Sequence, residues 1–366
     1  MTGLASVVVS LVLVLVFSFD ARAQGSYLEH RYPYTPNEAL PAADRFVKKQ
    51  GYWEGYKGNK MVGVVLLSKD WTPNLVGYAG KHLETLIGMD MAGNLTGVKV
   101  IFHAEPIVMI GLKEDNYKTF IRQYVGKNIK EKLTIGSGVS MDAVTGATVT
   151  AVVQNSTILG SARRAALKSG MLQARKAEAP RKVSQAFTVQ SWKDLLDKGA
   201  VQRITIKPET VGLKAEAQPY LDLYFALADP PAVGRNLLGA NAYEQAKAAL
   251  GKKGGSILVV VSSGPGSFKG TGFVRGGIFD RFHLEQDAKS FLFRDVDYTL
   301  ISEIKAAGAL AIREGGIFLI HNKDFDPTDR FAFNFVLPVR VGTTSREVKS
   351  FQQTYRLPDA YLEKAK

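Results

Sequence analysis

Hydrophobic and polar positions divide the chain into short runs separated by glycine, proline and charge. Lys60 to Ser68 is nearly all apolar and predicts a strand, and Val98 to His103 alternates as a half-buried strand does. Asp115 to Tyr124 reads as a helix. Ala147 to Lys168 reads as a longer one, with Val149, Val152, Val153 and Leu159 at three- and four-residue spacing and Gly170 as a stop. Further on, strands are predicted at 203–207, 220–227, 256–262, 290–298, 317–321 and 331–341. Helices are predicted at 242–250, with Asn241 as a candidate N-cap, and at 300–312. Ala42 to Lys49 predicts a short helix, and the aromatic, proline-bearing stretch before it an extended lead-in. Strands and helices mix without strict alternation, so the expected fold class is α+β.

At the N-terminus, Val7 to Phe19 is almost unbroken Val, Leu and Phe, followed by Ala21-Arg22-Ala23. An apolar run of this length ending in an A-x-A site reads as a secretory signal, with Gln24 as the mature start. A retained membrane anchor is the alternative. The charged stretch 173–183, which contains Pro180, reads as a linker. The resulting layout is a signal (1–23), a lead-in (24–50), a first domain (51–172), a linker (173–183) and a strand-rich second domain (184–366).

At 366 residues, 46% of them hydrophobic, the chain has material for two cores. The absence of cysteine excludes disulfides and any metal–sulfur centre carried by this chain. Its 47 Lys and Arg against 34 Asp and Glu give a net charge of +13. For an exported protein this points to anionic lipid head groups, hence a membrane surface, or to an acidic partner rather than nucleic acid. The basic residues are scattered, so a simply solvated surface is the plainer reading.

The segment Thr145-Gly146-Ala147-Thr148-Val149-Thr150 falls where a helix should begin. The first amides of a helix lack internal partners and its dipole is positive there, so a phosphate finds free donors. Gly146 permits close backbone approach, and the threonines add hydroxyls. A plain threonine N-cap is the structural alternative. His103 and Glu105 end a predicted strand just before Pro106, either near a bound cofactor or as a polar strand end. Tyr78, Leu83 and Leu86 are candidates for an apolar ring wall, with ordinary core as the alternative for each. His82-x-Glu84 resembles a zinc deaminase motif but lacks the cysteines that chemistry needs. His30, His283 and His321 show no metal spacing. Gly264 to Gly272 is glycine-rich, but Lys269 precedes Gly270, so the phosphate-loop order is not met and a turn followed by a strand is expected. No catalytic acid, base or nucleophile is assigned, and no metal.

Asp142 to Thr148 is similar to the D-x-x-[S/T]-G-A-T signature of domains that receive FMN from a dedicated flavin transferase. Such domains occur in the sodium-pumping quinone reductase, in ferredoxin-linked complexes and in the NosR/NirI family of nitrous-oxide and nitrite respiration. His103-Ala-Glu-Pro-Ile-Val-Met-Ile-Gly111 resembles the NosR/NirI branch. So do Asp280 to Glu285, Phe293 to Tyr298 and Leu357 to Leu362. The resemblance implies covalent FMN as a phosphoester on Thr148, with Asp142 recognised by the transferase. Around that attachment point, Thr145, Gly146, Ala147, Val149, Thr150, His103 and Glu105 are the candidate cofactor-binding residues. It further implies a periplasmic flavoprotein, a respiratory redox partner such as nitrous-oxide reductase, and a role in electron transfer. A regulatory or assembly module with a sensory or structural flavin is the alternative. Full-length members continue into membrane helices and an iron–sulfur region, and that chemistry is not carried over.

Overall fold

The computed structural model describes residues 28–105, 114–136, 138–139, 147–174, 181–252, 254–270, 273, 277–341 and 345–363. The predicted signal, most of the predicted linker and residues Asp142, Thr145 and Gly146 lie outside them.

The first part of the chain contains strands β1 (His30–Arg31), β2 (Arg45–Lys48), β3 (Tyr52–Lys57), β4 (Lys60–Leu67), β5 (Glu84–Asp90) and β6 (Leu95–His103). They form one antiparallel sheet in the order β1-β6-β5-β4-β3-β2. Alternation along β4 sends side chains to opposite faces. Val65 and Leu67 pack with Leu86, Ile101 and the short helix α1 (Pro36–Ala39). On the other face, Val64 and Leu66 pack with Ile87 and Met89 against α2 (Glu114–Arg122) and α3 (Ala147–Lys168). The predicted long helix is therefore present with its predicted bounds. A small parallel pair, β7 (Thr134–Ile135) and β8 (Gly138–Val139), lies between α2 and α3 in the chain.

After α4 (Trp192–Asp197), strands β9 (Gln202–Ile206) and β10 (Leu221–Leu227) lead into α5 (Pro231–Ala249) and β11 (Ser256–Ser263). Then follow β12 (Phe282–Gln286), β13 (Lys289–Phe291), β14 (Tyr298–Leu300), β15 (Glu314–Ile320), β16 (Phe331–Val341) and β17 (Ser345–Tyr355). These strands make a five-stranded sheet, β14-β15-β11-β10-β9, and a four-stranded sheet, β13-β12-β16-β17. Phenylalanines join the two sheets: Phe225 of β10 stacks on Phe333 of β16 at 4.1 Å between ring centres, and Phe282 of β12 meets Phe318 of β15 at 5.0 Å. The architecture is α+β, as the residue pattern predicts.

Five local expectations are corrected. The stretch 290–298 is not one strand: Lys289–Phe291 and Tyr298–Leu300 belong to different sheets, because Arg294 pairs with Ile278 and a 3-10 turn at Asp295–Asp297 redirects the chain between them. The stretch 42–49 is not a helix, because Arg45–Lys48 pairs with Trp53–Tyr56 at the sheet edge. The lead-in is not simply extended. Its β1 pairs with β6, and α1 lies so close to the sheet that a Cβ at Gly88 would come 2.1 Å from the Ala39 carbonyl oxygen. The stretch 300–312 is irregular: Gly308 has φ +77°, Lys305 N–H donates to Leu237 and the Ala307 carbonyl accepts from Trp192. Those backbone groups bind other elements rather than one another. Finally, α5 begins well before Asn241, at Pro231, and Gly239 interrupts it with φ 78° and ψ 163°.

The two parts of the chain share side chains. Val336 of β16 and Val348 of β17 belong to the same apolar cluster as α2, α3 and the first sheet. At Gly136, with φ +83°, a Cβ would lie 1.9 Å from the Val348 carbonyl oxygen, so only glycine permits this approach. Arg164 of α3 donates to the Trp71 carbonyl and, at 3.3 Å, to that of Ala288. Sheet and second part together cover α3. Its polar residues Thr150, Gln154, Asn155, Ser156, Thr157 and Ser161 are all buried.

Candidate functional site

At the first turn of α3 two predicted site residues from distant parts of the chain, Glu105 and Thr150, meet. Thr148 lies in that turn. Val149 is buried against Leu75, Leu83, Val153 and Ile278, with Tyr78 and Leu292 at the edge of the cluster. Thr150, the next residue, is fully buried and its hydroxyl donates to Glu105 Oε2. The loop after β4 completes the arrangement. Tyr78 N–H donates to Glu105 Oε2 and Ala79 N–H to Glu105 Oε1, both at 3.1 Å. A Cβ at Gly77 would sit 2.3 Å from Glu105 Oε1, so the carboxylate fills the space a side chain there would need.

Glu105 is 3% exposed. Burial raises its pKa above the ordinary carboxylate range, and the donors Thr150, Ala79 and Tyr78 oppose that shift. Three donors compensate part of the cost of removing a carboxylate from water.

Deeper along α3, polar side chains are joined in a chain. Tyr117 of α2 donates to Gln154 Oε1 at 2.8 Å, and Gln154 Nε2 donates to Thr85 Oγ1 of β5 at 2.7 Å. Tyr124 donates to Asn155 Oδ1 at 2.7 Å. Such networks fix the rotation of a helix whose apolar residues alone would leave it ambiguous.

The structure separates His103 from this group. Its ring stacks on His30 at 4.7 Å, with an interplanar angle of 13°, and meets the edge of Tyr117 at 5.6 Å. It lines a different cavity, of about 480 Å³, with Tyr32, Lys99, Lys118 and Arg122. Of the three ring-wall candidates, Tyr78 and Leu83 join Val149, whereas Leu86 lies in the cluster with α1 on the opposite sheet face. His82 Nδ1 is within 2.9 Å of the Leu75 carbonyl oxygen, which ties down its own loop.

Next to the Val149 cluster opens a cleft of about 540 Å³. Leu75, Ile278 and Leu292 belong to both cluster and cleft, and Arg294, Asp297, His321 and Lys323 supply its polar wall. A cleft of about 300–1,000 Å³, mostly apolar with a few polar groups, is the usual form of a cofactor site. Sequence reasoning missed Gly77, Leu75, Ile278 and Leu292. The Val-Gly-Tyr-Ala-Gly run at 76–80 signals a turn, but nothing local indicates what the turn holds.

Fold and site together define an α+β protein with an acid-anchored helix start beside a cofactor-sized cleft. The chain is 31% identical to "Regulatory protein NosR" of Pseudomonas aeruginosa over 93% of its own length and 51% of that protein. It is 32% identical to "Regulatory protein NosR" of Stutzerimonas stutzeri, over 84% of the chain and 46% of that protein. It is 28% identical to "Protein NirI" of Paracoccus denitrificans, again over 84% and 46%. No family model matches. The chain belongs to the NosR/NirI family, and it spans about half the length of these relatives.

Proposed function

We propose that this chain is an exported flavoprotein with FMN joined to Thr148 through a phosphoester, and that it supports nitrous-oxide reduction or nitrite respiration. One observation carries the reading. The His103–Gly111 and Asp142–Thr148 stretches each resemble family motifs, and described residues at their borders, Glu105 and Thr150, meet at the start of α3 beside a cofactor-sized cleft.

The residues present fit the group. The start of α3 presents helix amides to a phosphate. Leu75, Tyr78, Leu83 and Val149 offer apolar surface to a flat ring. When bound, FMN supplies one- and two-electron chemistry, and the protein contributes attachment, orientation and electrostatics. In this role Thr148 is an attachment point, not an acid or base. Glu105 holds the 77–79 loop against α3 through Oε1 and Oε2. Covalent attachment retains the cofactor outside the cell, and export through residues 1–23 with cleavage before Gln24 belongs to the same proposal. A flavin transferase would act during maturation and a respiratory redox protein, such as nitrous-oxide reductase, in use.

Intact mass after co-expression with a flavin transferase tests the attachment. The wild type gains FMN less the elements of water, and Thr148→Ala does not. Equal, unmodified masses overturn the proposal. The word "regulatory" in two relatives' names favours a second reading, in which the flavin senses redox state or stabilises an assembly. A flavin that remains oxidised throughout respiration supports that reading over electron transfer.

A further inference from the structure

We propose that the second part of the chain forms the outer wall of the flavin-ring site and tunes the flavin's potential. Arg294 and Asp297 act there in opposite directions. This rests on the attachment proposed above and adds what the strand-rich second part does.

The argument starts at Val149, the residue after Thr148. Its side chain packs in one cluster with Leu75 from the first part and Ile278 from the second. Leu75 and Ile278 also line the 540 Å³ cleft, so a group tethered at the start of α3 has this cleft as adjoining space. Most of the remaining lining comes from the second part. Leu292 and Phe293 provide apolar surface, and Arg294 and Asp297 provide charge.

The segment that carries those two charges is held in place. The Arg294 backbone N–H donates to Asp297 Oδ2 at 3.0 Å, which fixes the carboxylate, and the Arg294 backbone forms an antiparallel β-bridge with Ile278. The Gly277 carbonyl accepts from Asp295 N–H at 2.7 Å, and Phe279 N–H donates to the Phe293 carbonyl at 3.1 Å. The 277–279 turn, whose Ile278 shares the apolar cluster of Val149, is thus fastened to the 293–297 segment that carries the charges. At Gly277, with φ +63°, a Cβ would fall 2.5 Å from the Asp295 carboxyl carbon, which shows how closely the two segments lie.

Two-electron reduction near neutral pH leaves flavin neutral or anionic, so a nearby cation favours the reduced form and a nearby carboxylate disfavours it. Arg294 therefore raises the midpoint potential and Asp297 lowers it. A merely structural role has no reason to give opposite signs. His321 and Lys323, exposed at the cleft's rim, add positive charge that salt screens more readily.

The test uses the full chain co-expressed with a flavin transferase, as Arg294→Gln, Asp297→Asn and Leu292→Trp variants, with Leu213→Trp outside the cleft as control. Intact mass shows whether FMN is attached. Redox titration followed by absorbance gives the potential, and flavin fluorescence reports a nearby tryptophan. The expected result is full mass gain in every variant, a lower potential in Arg294→Gln and a higher one in Asp297→Asn. Fluorescence should fall several-fold in Leu292→Trp and hold in Leu213→Trp. Full mass gain with potentials and fluorescence unchanged overturns this inference and leaves the attachment standing. No mass gain in the wild type overturns the attachment itself, and this inference with it.

Discussion

The Thr150 hydroxyl donates to Glu105 Oε2, and this bond ties the segment just after β6 to the first turn of α3. Both groups are buried. Thr150→Val keeps the shape and removes the donor, leaving Glu105 to two backbone amides. A buried acceptor deprived of a partner costs about 1–3 kcal/mol. Thr150→Ser retains the hydroxyl and should lose less. Urea unfolding of both variants checks this, and a Thr150→Val protein as stable as wild type would show that the bond contributes nothing.

Gly77 and Glu105 compete for the same volume. Gly77→Ala should destabilise by about 1–3 kcal/mol, the usual range for overpacking, and reduce FMN incorporation by displacing the loop. Combined with Glu105→Ala, its cost should be smaller than the sum of the two single costs, because the clashing carboxylate is gone. A double-mutant cycle measures the coupling, and strict additivity would rule out the proposed contact.

Burial pushes the Asp229 carboxyl up from 3.8 to about 7, against opposing contributions from Lys247 and the Ile257 amide. An acid with a raised folded-state pKa binds more protons folded than unfolded. Its contribution to stability is complete below about pH 4 and is lost as pH rises to about 7. The slope is at most about 1.4 kcal/mol per pH unit. Denaturation across pH 4–8 should therefore show this decline in wild type and a flatter profile in Asp229→Asn. Burial shifts Glu105 in the same direction, so its contribution falls with rising pH as well.

Because Val336 and Val348 share a cluster with α3, the two parts of the chain should unfold in one calorimetric transition. Gly136→Val puts a side chain where the Val348 carbonyl already lies, at a φ of +83° that suits only glycine. Its expected effect is a lower midpoint and a split of the transition in two. A single, unshifted transition in the variant would contradict the closeness of this contact.

Much of the fold is legible where local pattern and final environment agree. The run Ile257 to Val261 is apolar and β-branched, and it becomes the buried strand β11. The long helix is legible from its spacing and from Gly170 beyond its end. β17 was not, because Ser345–Tyr355 is largely polar and exists as a strand through its long pairing with β16. The 300–312 stretch has helical composition, but its backbone groups are taken by Leu237 and Trp192.

Sequence by itself determined what depends on near neighbours: the α+β mixture, most strands, the start of α3 and the identity of Thr148, Thr150 and Glu105 as site candidates. Only tertiary structure decided which of these meet. Glu105 and His103 are two residues apart on one chain segment, yet one turns to α3 and the other to His30 and Tyr117. Leu83, just before β5, and Leu86, within it, likewise join different apolar clusters. The physical reason is that residues two apart share a face only within a strand; β6 ends at His103, so Glu105 escapes that alternation, and what each side chain then meets comes from distant parts of the chain. Ile278 and Arg294 reach the cleft beside α3 only because the second part packs against the first.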